Sequence, residues 1–515
     1  SLFLEELMGR KQLLVGTAIL AGANILTKCM GFFYRIFMSN YIGAEGMGLY
    51  QLILPLYTLA WSITAGGFTV TVSRLTAREH ARGENGSIGR IVKQSASLCL
   101  LLSILLSCFL FWGADWIALH VLQEPRTALS LRLLAFAIPF MSVGSCLRGF
   151  FQGLQQMTVP AFSQILEQLL RIGSIYLLAG IFVPRGLEYA CFAAVCGIVL
   201  GEAGAFCYTF FHYLHKKRRW KFIRKPAISS GACFSLILSM AIPLSAIRIT
   251  GSLLSTLENI LIPQRLALFG SSSQEALASY GELTGMVMPL LMLPSAFLMA
   301  FSVSLVPEIS EACAVSQNNR IRRTVSASLL LTSILGAGSA CLFAVFPREI
   351  CYVVYGRSNL GQLLFPLAFL CPLLYGQTTI NGLLNGLGEH FFLFWSHILS
   401  SLITIAFIWF AMPYWGLSAF CTGWFCSLLA VTILSLRKLK KRTGVSPSLF
   451  DCFGRPILAG IAAALIIRLI IQTSTPSPLL FCGTLLGMGI LYLVFLGALG
   501  CLNKDTLQLL KRKRT

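Results

Sequence analysis

The chain has 515 residues, of which 56% are hydrophobic and 11% charged, with a mean hydropathy of +0.77; that composition excludes a soluble globular enzyme. Its 40 Lys and Arg against 19 Asp and Glu leave a net charge of +21. The basic residues fall between apolar stretches without a stacking platform, which argues against nucleic acid.

The apolar stretches are about 20 residues long, enough to cross a hydrocarbon core of roughly 30 Å as helices. Barrel strands would be about 10 residues long and alternating. The pattern predicts an all-α integral membrane protein with about fourteen spans. A short amphipathic stretch over 1–12 leads into the first span, and no small-residue cleavage site marks it as a removable signal. Spans at 13–34, 47–70, 92–113, 130–150, 158–182 and 187–211 make a first lobe over 1–215. A basic linker over 216–230 follows. Spans at 232–254, 280–306, 324–346, 362–383, 391–411 and 414–436 make a second lobe over 231–436. A basic loop over 437–454 precedes a final pair, 455–472 and 478–501, within 455–501. The tail over 502–515 has the pattern of a basic amphipathic helix lying on the inner leaflet. The glycine-rich stretch 43–48 lies between two spans and lacks the strand–loop–helix context of a phosphate loop.

With the N-terminus inside, 29 of the 40 Lys and Arg fall in inner segments: Arg10 and Lys11, Arg74 to Lys93, Arg148, the run Lys216–Lys225, Arg320 to Arg323, Arg437 to Arg442, Arg455 and the tail. Arg126, Arg185, Arg265, Arg348 and Arg357 fall outside. This bias predicts both termini in the cytoplasm, with the basic loops against anionic lipid headgroups. The 17 cysteines are scattered through the spans as small packing residues, with only Cys313 and Cys351 expected in loops. They have no metal-finger spacing, and the isolated pair His212 and His215 does not make a metal site either. No metal or cofactor is expected.

Residues 131–165 and 364–398 are weak copies of each other at an offset of 233. Pro139 falls on Pro372, Gly149 on Gly382, Gly153 on Gly386, Leu154 on Leu387, Ser163 on Ser396 and Ile165 on Ile398, while upstream Phe68 falls on Phe301. Internally duplicated helix bundles belong to transporters, whose substrate sites lie where the repeats meet.

Polar groups inside spans are costly, at least about 2.5–3.5 kcal/mol for a charge at mid-bilayer, so they point to function. Gln164, Glu167, Gln168 and Arg171 are spaced to share one helix face. At the repeat offset stand His397, Ser400, Ser401 and Thr404, and the two stripes are expected to line a water-filled cavity between the lobes. Lys28 in the first span and Arg248 in the seventh align at an offset of 220, with Arg35 one to two turns further out. Buried cations suit an anionic ligand, and with Arg171 they would form a cationic floor for a diphosphate. Glu202 and Glu282 are candidate coupling-ion residues.

The segments FYRIFMSNYIGAEGMGLYQL over 33–52 and LRGFFQGLQQMTVPAFSQILEQLLRI over 147–172, with the fourteen-span layout, resemble the stage V sporulation protein B and polysaccharide-biosynthesis family. That family lies in the multidrug/oligosaccharidyl-lipid/polysaccharide (MOP) exporter superfamily, with the lipid II flippase MurJ. The likeness covers nearly the whole chain, and its most specific string runs from Arg148 to Ile172. The resemblance implies a MATE-like fold of two six-helix lobes about a pseudo-two-fold axis, with a helix pair that in the flippase branch forms a lipid-tail groove. It also implies a monomer in the bacterial cytoplasmic membrane. Its expected activity is alternating access that flips an undecaprenyl-diphosphate-linked, lipid II-like saccharide outward for spore cortex peptidoglycan. Family cavity cations carry over onto Lys28, Arg35 and Arg248, with lysine at 28 where relatives carry arginine. The coupling ion stays open between Na+, H+ and Cl−. Alternatives are a Na+- or H+-driven multidrug exporter, which calls for an acidic cavity, and a non-transporting cell-wall scaffold.

Overall fold

Two helices joined at a kink, together α1 (Leu2–Thr64, 63 residues), open the chain. The computed structural model describes residues 2–220, 228–270, 272–315, 317–445, 454–470 and 478–501. The second half of the basic run 216–225, most of the end of the loop 437–454 and the tail 502–515 lie outside the described residues. Among the described residues all regular structure is helical, and nine helices are long and apolar enough to cross a membrane, or ten if one bent pair is a single span.

The connection expected between the first two spans is reduced to a kink at Gly43, where two helices meet; its φ of 70° and ψ of −172° are non-helical and suit glycine because it has no Cβ. The apolar helical stretch Ile19–Ala81 is 63 residues long, about 95 Å at ~1.5 Å per residue, which gives length for two crossings.

The chain packs into two compact units, 1–281 and 282–515. The first contains α1, α2 (Gly66–Ala81), α3 (Asn85–Trp116), α4 (Ala128–Gly153), α5 (Thr158–Phe182), α6 (Leu187–Trp220), α7 (Ser230–Ala267) and α8 (Ser273–Gly281). Packing therefore groups α7 with the first six spans, because it lies on α1 and α2.

The second unit begins with a π-helical turn, Glu282–Val287, then α9 (Met288–Met292), α10 (Ser295–Ala314), α11 (Asn318–Val345), α12 (Pro347–Tyr355), α13 (Gly361–Ala368), α14 (Cys371–Gly386), α15 (His390–Ala406), α16 (Met412–Trp415), α17 (Leu417–Thr443), α18 (Arg455–Ile470) and α19 (Pro478–Ala498). Two spans expected to be continuous are broken here. The stretch 280–306 is interrupted by the π-turn and again before Ser295, where Pro294 cannot donate a backbone hydrogen bond. The stretch 362–383 bends by 56° between α13 and α14. Pro372 has a counterpart, Pro139, that α4 absorbs without a break; α13 adds Pro366, and two prolines six residues apart divide the helix. Broken backbone at membrane depth needs substitute partners. The hydroxyls of buried Tyr355 and Tyr375 donate to the carbonyls of Met286 and Leu291, each at 2.8 Å. Cys351, expected in a loop, is buried within α12, whereas Cys313 is exposed in the last turn of α10.

The duplication seen in sequence recurs in packing. In the first unit α4 crosses α2 at Gly149 and Gly153; a Cβ on Gly149 would lie 2.4 Å from the Thr69 carbonyl oxygen, and one on Gly153 2.5 Å from that of Ser73. In the second, α14 crosses α10 at Gly382 and Gly386, where a Cβ would lie 2.0 Å from Ser302 Oγ and 3.1 Å from the Val306 carbonyl oxygen. Thr69 and Ser73 fall on Ser302 and Val306 at the same offset of 233. Each pair of glycines is a G-x-x-x-G, the spacing that lets membrane helices approach closely where lipid supplies no hydrophobic drive. The cores correspond as well: Val72, Ile88, Val92, Leu147, Phe150 and Phe151 in the first unit match Leu305, Ile321, Val325, Ile380, Leu383 and Leu384 in the second.

The final pair packs on the second unit. Tyr492 of α19 donates to the Ile334 carbonyl of α11 at 2.7 Å, and Arg468 of α18 pairs with Glu349 of α12. Between α11 and α19 lies an apolar groove of about 510 Å³ bordered by Leu335, Leu342, Leu486 and Ile490.

Candidate functional site: a charged cavity in the first unit

Helices α1, α4, α5 and α6 enclose a cavity of about 330 Å³ lined by Tyr57, Thr58, Trp61, Met141, Ser145, Arg148, Gln152, Gln164, Glu167 and Glu202, with Thr69 of α2. The α5 stripe supplies one wall. Two glycines of α6 bring that wall close: a Cβ on Gly197 or Gly201 would lie 3.0 or 2.9 Å from the carbonyl oxygens of Arg171 and Glu167. Close packing there sets Glu202, next to Gly201, in the same cavity as Glu167.

The charges are arranged unevenly. Arg171 Nη2 donates to Glu167 Oε1 at 2.8 Å, an i, i+4 pair whose side chains are 13% and 15% exposed, so this arginine is neutralised within its own helix. Glu202 is buried, and its Oε1 accepts a hydrogen bond from the Tyr57 hydroxyl. Arg148 Nη2 donates to Ser145 Oγ at 2.7 Å, and the same oxygen accepts Trp61 Nε1–H at 3.1 Å. The Arg248 guanidinium lies over the Trp61 ring, 5.0 Å from its centroid.

Several buried polar atoms of this region have no protein hydrogen-bond partner: Gln164 Oε1, Gln168 Oε1, Arg148 Nη1, Arg171 Nε and Glu202 Oε2. Each such group costs about 1–3 kcal/mol if left unsatisfied. Three of the five, on Arg148, Gln164 and Glu202, belong to residues that line the cavity.

The structure brings together Gln164, Glu167 and Glu202 at the cavity, with Arg171 bound to Glu167 and Arg248 stacked on its Trp61 wall. Lys28 and Arg35 lie on α1 away from the cavity lining, Lys28 exposed and Arg35 half-buried. Glu282 stands in the π-turn of the second unit and interacts with Arg357 and Asn359. The second polar stripe is used in helix packing: Ser400 Oγ meets Ser427 Oγ of α17, Thr404 Oγ1 returns to the Ser400 carbonyl at 3.1 Å, Ser401 is buried and His397 is exposed.

Sequence reasoning missed Tyr57, Trp61, Ser145 and above all Arg148. Arg148 was counted among inner basic segments, but it lies within α4 and lines the cavity. A signal was available, since Arg148 opens the string whose other polar members, Gln152, Gln164 and Glu167, line the same cavity.

Residues 13–313 match the family described as polysaccharide biosynthesis protein. The chain belongs to this family. Stage V sporulation protein B of Bacillus subtilis (strain 168) is 28% identical over 510 residues, covering 97% of this chain and 98% of that protein. The lipid II flippase MurJ of the same organism is 26% identical over 349 residues, 62% of each chain. Among solved structures, lipid II flippase MurJ in an inward closed conformation has a TM-score of 0.69 at 14% identity, covering 93% of this chain and 98% of that one. An inward-facing multidrug resistance MATE family transporter of the MOP superfamily has a TM-score of 0.66 at 12% identity, covering 83% and 98%. The expected all-helical, MATE-like fold is thus the observed one. This member of the polysaccharide biosynthesis family is a multi-pass membrane protein with the fold of the MOP transporters.

Proposed function

We propose that the protein is a flippase that moves a polyprenyl-diphosphate-linked saccharide from the inner to the outer leaflet of a bacterial cytoplasmic membrane. The observation that carries this reading is the charged, under-satisfied cavity inside the first helix unit. Charged groups at bilayer depth line pathways or bind ligands, and nothing in packing alone calls for them. The full-length likeness to a sporulation protein and the likeness to MurJ support a cell-wall precursor as cargo, with spore cortex synthesis as the setting.

In this reading a hydrated, arginine-containing cavity carries the diphosphate head while the polyprenyl tail stays in lipid. Arg248, with Lys28 and Arg35 on α1, adds positive field along the route. Alternating access opens this cavity to one side of the membrane and then the other, in a monomer with both termini inside. Each negative charge moved outward against an inside-negative potential gains about 2.3 kcal/mol per 100 mV. Glu202, buried with one oxygen unpartnered, is the place for a coupling proton or sodium ion. That acidic group also favours the second reading, a cation-driven exporter of small molecules.

The test is precursor flipping in bacterial cells depleted of their own lipid II flippase, read as the precursor that an added external enzyme can cleave. Restored cleavage on expression supports the flippase. Well-inserted protein without restored cleavage, together with ion-dependent drug efflux, would favour the exporter.

A further inference from the structure

The geometry points to Arg148 as the anion-contacting group of the first-unit cavity, taking a phosphate of the lipid-linked cargo. That the anion belongs to a lipid rests on the flippase reading; the anion site itself rests on the following geometry.

Arg148 is held from behind. Its Nη2 donates to Ser145 Oγ at 2.7 Å, and Ser145 is fixed in turn by Trp61 Nε1–H at 3.1 Å. Nη1 is buried and has no protein partner. Arg148 lines the cavity, and a guanidinium anchored through one nitrogen with hydrogen-bonding capacity to spare suits phosphate oxygens. Gln152 and Gln164 line the same cavity and can supply neutral donors beside it.

The other cation of the cluster cannot take this role as readily, because Arg171 is neutralised by Glu167 at 2.8 Å. Arg148 has no ion pair among the described residues; the carboxylate that acts on it is Glu202, which lines the same cavity and interacts with it electrostatically.

The internal repeat shows that the fold does not require this charge. At the offset of 233 Arg148 corresponds to Asn381, which accepts a hydrogen bond from Gln377 Nε2 at 3.0 Å while α14 makes the same glycine-mediated crossing as α4. A neutral amide serves the packing at that position, so the guanidinium has another use.

The experiment measures binding of farnesyl diphosphate, inorganic pyrophosphate and farnesol to the purified full-length protein, for the wild type and for Arg148→Asn, Arg148→Lys and Glu202→Gln. Arg148→Asn should bind farnesyl diphosphate at least about tenfold more weakly while melting close to the wild-type temperature, the size expected for one lost charged hydrogen bond. Arg148→Lys should recover part of that affinity, and Glu202→Gln should tighten binding by removing a competing negative charge, a gain that a merely structural role for Arg148 would not produce. Wild-type affinity in Arg148→Asn, or no diphosphate binding by the wild type, overturns the proposal. Pyrophosphate bound as tightly as farnesyl diphosphate keeps the anion site and overturns its assignment to a lipid. A wild type that binds but does not flip leaves the Arg148 site standing while the flippase reading fails.

Discussion

The two halves of the duplication use the same packing for different interiors. Where the first unit carries Arg148, Glu167, Arg171 and Glu202, the second carries Asn381, Ser400, Thr404 and Ser435 at an offset of 233. The second set makes short neutral contacts: Gln377 Nε2 to Asn381 at 3.0 Å and to Ser435 Oγ at 3.5 Å, and Ser400 against Ser427. The glycine crossings and the apolar core around them correspond position by position. A bundle of this kind therefore packs with neutral polar residues at these four positions, and the proposed function gives the charges of the first unit a ligand to act on.

The largest effect in this comparison is expected at the shared crossing. Gly149→Leu and Gly382→Leu should each abolish accumulation of folded protein, read by melting and by membrane yield. Gly149→Ala should be the more damaging of the two alanine variants: its Cβ meets a backbone carbonyl, whereas that of Gly382→Ala meets a serine hydroxyl that can rotate away. Equal damage would mean that the two crossings are more alike than the contacts imply.

Next in size is the Glu167–Arg171 pair. Arg171→Ala leaves a mostly buried carboxylate unpaired and should cost about 3–5 kcal/mol, together with loss of flipping. The double replacement Glu167→Ser with Arg171→Thr, which installs the second unit's residues, should recover most of the stability and none of the activity. Stability that stays low in the double variant would show that the pair is structural after all.

The smallest effect lies where the second unit is the charged one. Glu389, between α14 and α15, is paired with Lys438 at 3.0 Å and with Arg442, at a position where the first unit has Gln156. Burial alone would raise its carboxyl, but hydrogen bonds from Lys438 and Arg442 outweigh it and hold the pKa below the ordinary 4.5. A carboxyl lowered in the folded state contributes stability that is complete above that ordinary value and is lost as pH falls through the folded one. Glu389→Gln should thus lower the melting temperature by a few degrees at pH 7, and the difference should shrink as the pH falls below about 4.5. A pH-independent difference would assign the loss to packing.

Much of this was legible in the sequence. Apolar length gave the helical class, and aligned Pro, Gly and Ser positions gave the duplication that the glycine crossings bear out. Helical spacing put Gln164 and Glu167 on one wall. Other features depend on what hydropathy cannot register. Whether a chain turns or continues as a kinked helix at Gly43 depends on one backbone angle, and whether a proline is absorbed or breaks a span depends on a second proline nearby. Arg148 went unnoticed as a site residue because a cation near a span end looks like a positive-inside residue. Its anchor is Ser145, one turn earlier in α4, held in turn by Trp61, which only tertiary packing brings there.

The most direct test of the central claim is flipping by the variant Arg148→Asn, Glu167→Ser, Arg171→Thr and Glu202→Ser, which gives the first unit the second unit's neutral interior. The account predicts a protein that inserts and melts close to the wild type and exposes no precursor to the external enzyme. Wild-type exposure by that variant would contradict it.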